Sequence, residues 1–222
     1  MAQSIAAWLE YNLKPQDTLY IDNVLWAIAK RQGIESLYQP GTVDFTYLGA
    51  GHFSRVYWLD DKTKILKITK DKSDANASQI LLKRPTKTLL KVYDVFSIKY
   101  NNHVLYGIVA EKLTSLSHDL KMKFITFTYF LDYWFGSFFP SVQQLTEAAQ
   151  SNPQAWANGR TIYEVTDEYL TLFMDWAEAL DTRSIRWGDY KSENIMMRQH
   201  TPVIVDLGYS KVPTQRIPVL GA

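Results

Sequence analysis

The chain has 222 residues, 46% of them hydrophobic, with 24 basic residues against 23 acidic ones and no cysteine. That length and apolar share support a sizeable core, and the near-neutral balance speaks against a dedicated nucleic-acid or membrane binder. The lack of cysteine excludes disulfides, thiolate catalysis and cysteine-ligated zinc, and His52, His103, His118 and His200 show no metal-ligand spacing.

Residues 4–13 and 21–34 each repeat apolar positions at three and four, which predicts two helices punctuated by Pro15 and Gly33. After Gly41 the pattern changes. Residues 44–50, 54–59, 64–69, 89–98 and 103–113 read as five short strands, with Asp60, Asp61, Asn101 and Asn102 at turns. Only residues 73–83 interrupt them, as a short helix after the third strand. Residues 62–99 hold ten Lys or Arg against three Asp, read as a solvated basic face, with an acidic ligand or partner as the sharper reading.

Beyond Leu113 the sequence predicts helices over 122–139, 141–150 and 167–180, where Leu170, Phe173, Met174 and Ala177 share a face. Residues 186–197 read as a turn-like loop and 202–208 as an apolar strand. The aromatic run 122–139 carries Asp132 and falls short of the roughly 20 apolar residues of a membrane span. The spacing of Phe124, Phe127, Leu131, Trp134 and Phe138 predicts core packing between lobes, with any exposed part a docking patch. The N-terminus lacks the pattern of a secretory signal, so a soluble, cytoplasmic protein is expected.

Four spaced elements carry chemistry. Gly49 and Gly51 stand in "LGAGHFSRVYWL", where two glycines satisfy any tight turn but also leave bare backbone amides for a phosphate. Lys67 follows in "ILKI", where alternation puts it on the same sheet face as Ile65; a solvent-facing lysine is the bland alternative. Asp189, Lys191 and Asn194 lie within six residues of loop, and Asp206 follows twelve residues later at the end of an apolar strand. Two carboxylates, a lysine and an amide in that order suit magnesium-assisted phosphoryl transfer.

On these residues the chain resembles the eukaryotic-type protein kinases from about 45 to 208. Gly49, Gly51 and Ser54 fall on the glycines of GxGxxG, Val56 on the valine that follows, and Lys67 on the third-strand lysine. Asp189, Lys191 and Asn194 match DxKxxN, and "DLG" stands for DFG. "GHFS" with a helical N-terminal extension is similar to the early serine/threonine kinases of short-tailed phages, which modify host proteins. The resemblance implies an α+β, bilobal fold: a helical N-terminal extension (1–40), an N-lobe with a five-stranded antiparallel sheet (41–113) and a reduced helical C-lobe (114–222).

It also implies ATP and Mg2+ as cofactors and protein hydroxyls, including those of host proteins in the host cytoplasm, as substrates. Gly49, Ala50, Gly51, His52, Phe53 and Ser54 would cover the phosphates and Lys67 would bind them. Val56 would roof the base and backbone groups of Glu111 to Leu113 would hydrogen-bond it, with Ala110 as gatekeeper. Asn194 and Asp206 would hold magnesium, Asp189 would take the hydroxyl proton, and Lys191 would offset charge on the transferring group.

Several departures keep alternatives open. No Glu occurs between Glu35 and Glu111 to pair with Lys67, leaving Asp74, Gln79 or Asp206 for that role, or a pseudokinase, or AMP transfer. Trp187 and Gly188 replace the His and Arg of HRD, so activity without loop phosphorylation is expected, and "GD" is similar to the small-molecule phosphotransferases of aminoglycosides or choline. Only 14 residues follow Gly208, with no APE, implying a reduced lobe or a piece of a longer chain.

Overall fold

Alternation and turn residues in the first half produce a single antiparallel sheet. In the computed structural model, which describes residues 5–13, 18–34, 46–51, 53–59, 63–100 and 102–220, the chain divides into two compact units. The first comprises Met1–Leu82, Val92–Lys112 and Gln215–Ala222; the second comprises Lys83–Lys91 and Leu113–Thr214.

The first unit holds β1 (Tyr47–Ala50), β2 (Ser54–Trp58), β3 (Lys64–Thr69), β4 (Val92–Tyr100) and β5 (His103–Glu111), in the order β1-β2-β3-β5-β4, all pairs antiparallel. Opposite residues of an antiparallel pair share a face, so the registers sort the side chains into two sets. Tyr57, Leu66, Ile68, Val109, Phe96 and Ile98 form one set and are buried with Ile5, Trp8 and Leu9 of α1 (Ile5–Leu13) and Val24, Leu25 and Ile28 of α2 (Thr18–Arg31). The amphipathic N-terminal helices thus cover one face of the sheet. A bidentate bond from Arg31 to Asp94, at 2.6 and 2.8 Å, ties the end of α2 to β4 and raises the guanidinium pKa. Phe96 lies over Gly107 on the neighbouring strand, where a Cβ would stand 2.3 Å from the ring.

The other face carries Val56, Ile65, Lys67, Ile108 and Ala110. Helix α3 (Lys72–Lys83) follows β3, with Asp71 capping it: the Asp71 Oδ1 accepts from the Ser73 backbone N–H at 2.7 Å. Residues 215–220 return to the outer strand, β4, through two backbone bonds to Ser97 of 2.7 and 2.8 Å.

In the second unit α4 (His118–Phe135), α5 (Val142–Ser151), α6 (Pro153–Ile162) and α7 (Asp167–Asp181) accompany a small sheet of β6 (Thr114–Ser115), β7 (Ile195–Arg198) and β8 (Thr201–Ile204). The helices begin where their caps dictate: Ser117, Ser141, Asn152 and Thr166 each accept a backbone N–H, and Pro153 stands at the first turn of α6. Sequence periodicity left α6 unassigned and placed β7 in a loop.

The aromatic run forms α4, and its rings pack inside this unit: Phe124 stacks on Trp176 at 5.8 Å, Phe127 meets Phe173 at 5.7 Å, and Phe130 meets Trp156 at 5.0 Å. The partner rings come from α6 and α7 of the same unit. Tyr129 and Tyr133 face solvent. Arg183 and Arg198 hold the Lys83–Lys91 segment in the same unit by donating to the carbonyls of Arg84, Pro85, Lys87 and Leu89. Among the described residues no helix is long and apolar enough to cross a membrane.

Candidate active site

The glycine segment is the β1–β2 hairpin, with Gly49 opposite Val56 and Ala50 opposite Arg55. The Gly51 amide donates to the Ser54 carbonyl at 3.1 Å, so that amide is committed to the turn, and a Cβ on Gly51 would stand 3.0 Å from the Ser54 Oγ. Gly49 has no positive φ, and a Cβ there would have nothing within 4 Å among the described residues. Among the described residues neither backbone conformation nor packing calls for glycine at that position. Phe53 is exposed at the tip and Ser54 is buried opposite Thr69. His52 lies outside the described residues.

Val56 pairs with Lys67 and Lys67 with Ile108, so the lysine lies on the sheet face opposite the N-terminal helices. Its Nζ lies 2.7 Å from the Asp74 Oδ2, with side-chain exposures of 11% and 4%. Of the partners left open by the sequence, Asp74 is ion-paired with Lys67; Gln79 is buried on the same helix and its Oε1 has no hydrogen-bond partner among the described residues. An aspartate in the first turn of α3 complements the helix N-terminus as well as the lysine.

At the end of β5, Ala110 lies opposite Ile65 and Glu111 opposite Lys64. The Lys112 N–H donates to the Thr63 carbonyl at 2.8 Å, and its ammonium sits 3.8 Å over the Trp58 ring. Strand alternation therefore turns the Lys112 N–H toward β3. Between Lys112 and the buried Leu113 the chain passes from the first unit to the second.

In the second unit the loop after Trp187 closes on itself. The Asp189 carbonyl accepts the Lys191 N–H at 3.0 Å and the Asn194 Nδ2 at 2.7 Å. The Asp189 Oδ2 accepts the same Nδ2 at 2.9 Å and lies 3.1 Å from the Lys191 Nζ. The three residues singled out from spacing thus form one cluster around a half-exposed carboxylate. Because the Asn194 Nδ2 donates to Asp189, its Oδ1 is presented as an acceptor on the other side.

Asp206 follows directly after Val205, whose N–H donates to the Asn194 carbonyl at 2.9 Å. The Asp206 Oδ1 accepts the Gly208 N–H at 2.9 Å, and its backbone carbonyl accepts the indole N–H of the buried Trp187, also at 2.9 Å. An amide oxygen and a carboxylate on adjoining segments are hard donors of the kind magnesium takes, with phosphate oxygens and water completing its shell. Among the described residues there is no group of three or more His, Asp or Glu that would hold a metal by itself.

Two residues of this region escaped the sequence reading. Tyr190, between Asp189 and Lys191, is buried, and its hydroxyl reaches the Asp132 Oδ1 at 2.5 Å and the Gly136 carbonyl. Burial, and then the Asp132 carboxylate, push the phenol pKa well above its ordinary value. Trp187 stands where the kinase motif has histidine, and its N–H fixes the Asp206 backbone. The legible signal was a donor-bearing aromatic beside the loop; its acceptor, 19 residues on, was not. No protein-family model matches the chain, and no curated protein matches it.

Proposed function

We propose that the chain is an ATP- and magnesium-dependent phosphotransferase that moves the γ-phosphate of ATP to a serine or threonine hydroxyl of a protein. The observation that carries this reading is the Lys67–Asp74 pair: a nearly buried ammonium held by a helix carboxylate on the third strand of a five-stranded antiparallel sheet. A buried lysine fixed in this way is a preorganised cation for phosphate oxygens. The strand order, the helix between β3 and β4, and the unexplained glycine at 49 support the bilobal kinase-like reading.

Lys67 would neutralise the α- and β-phosphates, while Val56, Ile65 and Ala110 would offer an apolar face to the base. The Glu111 carbonyl and Leu113 N–H would hydrogen-bond it. Asp189 would accept the proton of the attacking hydroxyl, held in orientation by Asn194, and Lys191 would offset charge on the transferring phosphoryl group. Asn194 and Asp206 would hold magnesium, which supplies charge neutralisation at the phosphates.

A hydroxyl on a small molecule is the second reading of the acceptor. It is favoured at Gly188, where a Cβ would stand 2.9 Å from the Tyr209 carbonyl, leaving no room for the arginine by which many protein kinases read a phosphorylated loop. Purified protein incubated with magnesium, cell lysate and ATP labelled at either the γ- or the α-phosphate tests the proposal beside Asp206→Ala. Label from the γ position on protein bands, lost in the variant, is expected. Label from the α position alone would mean AMP transfer, and steady ADP release without labelled protein would favour a metabolite. No turnover at all would leave a nucleotide-binding module.

A further inference from the structure

We propose that residues 215–220 form a strap that positions α3, with Asn76 as its anchor on the helix, so that Asp74 meets Lys67. The catalytic consequence rests on the phosphotransferase reading above; the structural coupling does not.

Helix α3 has twelve residues and includes two Ser, one Asp and one Asn, a composition and length that are marginal for a helix on its own. Its placement must come from tertiary contacts, and all residues from Asp74 to Leu81 are buried. Four of these buried side chains are polar, and two of them, Asp74 and Asn76, point in different directions. Asp74 and Asn76 are two residues apart, a rotation of about 200° around the axis, so they leave the helix on opposite sides. Asp74 forms an ion pair with Lys67 of β3 at 2.7 Å. On the other side the Asn76 Oδ1 accepts the Gln215 backbone N–H at 3.0 Å.

From Gln215 the chain runs to the outer strand of the sheet. The Ser97 N–H donates to the Pro218 carbonyl at 2.7 Å, and the Leu220 N–H donates to the Ser97 carbonyl at 2.8 Å, with Val219 alongside Ser97 in parallel sense. The Ser97 hydroxyl adds a third bond to Pro218 at 3.2 Å, and Leu220 packs against the core cluster shared by the sheet and the N-terminal helices. Ser97 is itself paired with Tyr106 of β5. One end of the strap is therefore fixed to the sheet frame and the other grips the helix.

The helix is held from two sides by groups separated from it in sequence. Alanine at 76 would be a better helix former than asparagine. The buried amide is explained by the bond it makes, since a backbone N–H buried without an acceptor is destabilising. Releasing that bond removes one of the polar ties that hold α3, and the geometry of the Lys67–Asp74 pair loosens.

The bond can be removed from either end in the full chain, by Asn76→Ala or by Gln215→Pro. The readouts are amide hydrogen exchange along α3 and acylation of Lys67 by a limiting amine-reactive acetyl ester, followed by mass spectrometry. Both are expected to rise by about tenfold in each variant and no further in the double variant, as for one shared hydrogen bond, while exchange in β1–β3 stays unchanged. Unchanged α3 exchange, additive effects in the double variant, or faster exchange throughout the sheet would overturn the strap. In a chain that transfers phosphate, kcat/KM for ATP is expected to fall about tenfold with the acceptor KM unchanged; equal transfer would overturn the positioning role. A wild-type chain without transfer would refute the function proposed above and leave exchange and acylation to decide the strap.

Discussion

Lys67 and Asp74 form an ion pair of 2.7 Å in which both side chains are almost closed to solvent. Removing one partner of such a pair leaves the other charge buried and costs about 3–5 kcal/mol, whereas replacing both by apolar groups is close to neutral. Asp74→Ala should therefore lower the stability of the first unit measurably in urea titration, and Lys67→Met with Asp74→Leu should recover most of it. Lys67→Met, alone or in that pair, should cost at least about a hundredfold in transfer, the scale of losing a preorganised electrostatic contact. A stable double variant with normal turnover would place Lys67 in a structural role only.

Asp189 and Asp206 differ in what surrounds them, and their variants should differ accordingly. Asp189 is held by Asn194 and Lys191, so Asp189→Asn should lower kcat by about a hundredfold or more while leaving magnesium-ATP affinity near wild type, as for loss of a general base. Asp206→Ala should weaken magnesium-dependent nucleotide binding as well as transfer. Calorimetric titration with and without magnesium separates the two; identical binding in both variants would remove the metal role from Asp206.

Tyr190 links the loop of Asp189 to the end of α4 through Asp132 and Gly136. Its pKa in the folded chain is raised, so the folded state holds the proton more tightly than the unfolded state does. This contribution to stability is present in full below the ordinary tyrosine pKa of about 10 and is lost as pH rises beyond it. Alkaline unfolding should thus include a component that Tyr190→Phe removes. The same variant keeps the ring against Phe139 and Trp187, at 6.0 and 6.1 Å, and should lower kcat more than ATP affinity.

Gly107 is covered by the fully buried Phe96 ring, with only 2.3 Å to an added Cβ. Gly107→Ala should destabilise the sheet by about 1–3 kcal/mol through overpacking, and Gly107→Ala with Phe96→Leu should recover part of that loss. Thermal unfolding checks both, and a stable single variant would mean that the ring moves freely at this position.

The elements were legible wherever their signal was local. Strand alternation and turn residues located β1 to β5 and the short helix α3 that interrupts them, three-and-four spacing located α1, α2, α4 and α7, α5 was read as helical beside them, and short-range spacing singled out Asp189, Lys191 and Asn194, which do cluster. Helix α6 escaped because Pro153, Asn158 and Gly159 weaken its periodicity, and Asn152 and Pro153 announce only its start.

Which groups meet across long separations was decided by the tertiary structure. Periodicity gives the face on which a side chain lies, but several acceptors can satisfy one donor until packing brings a particular one within reach. Asp74 is ion-paired with Lys67 because β3 and the first turn of α3 converge there. Tyr190 finds Asp132 58 residues earlier, and Gln215 finds Asn76 139 residues earlier. Those bonds come from burial and chain path, which no stretch of residues encodes alone.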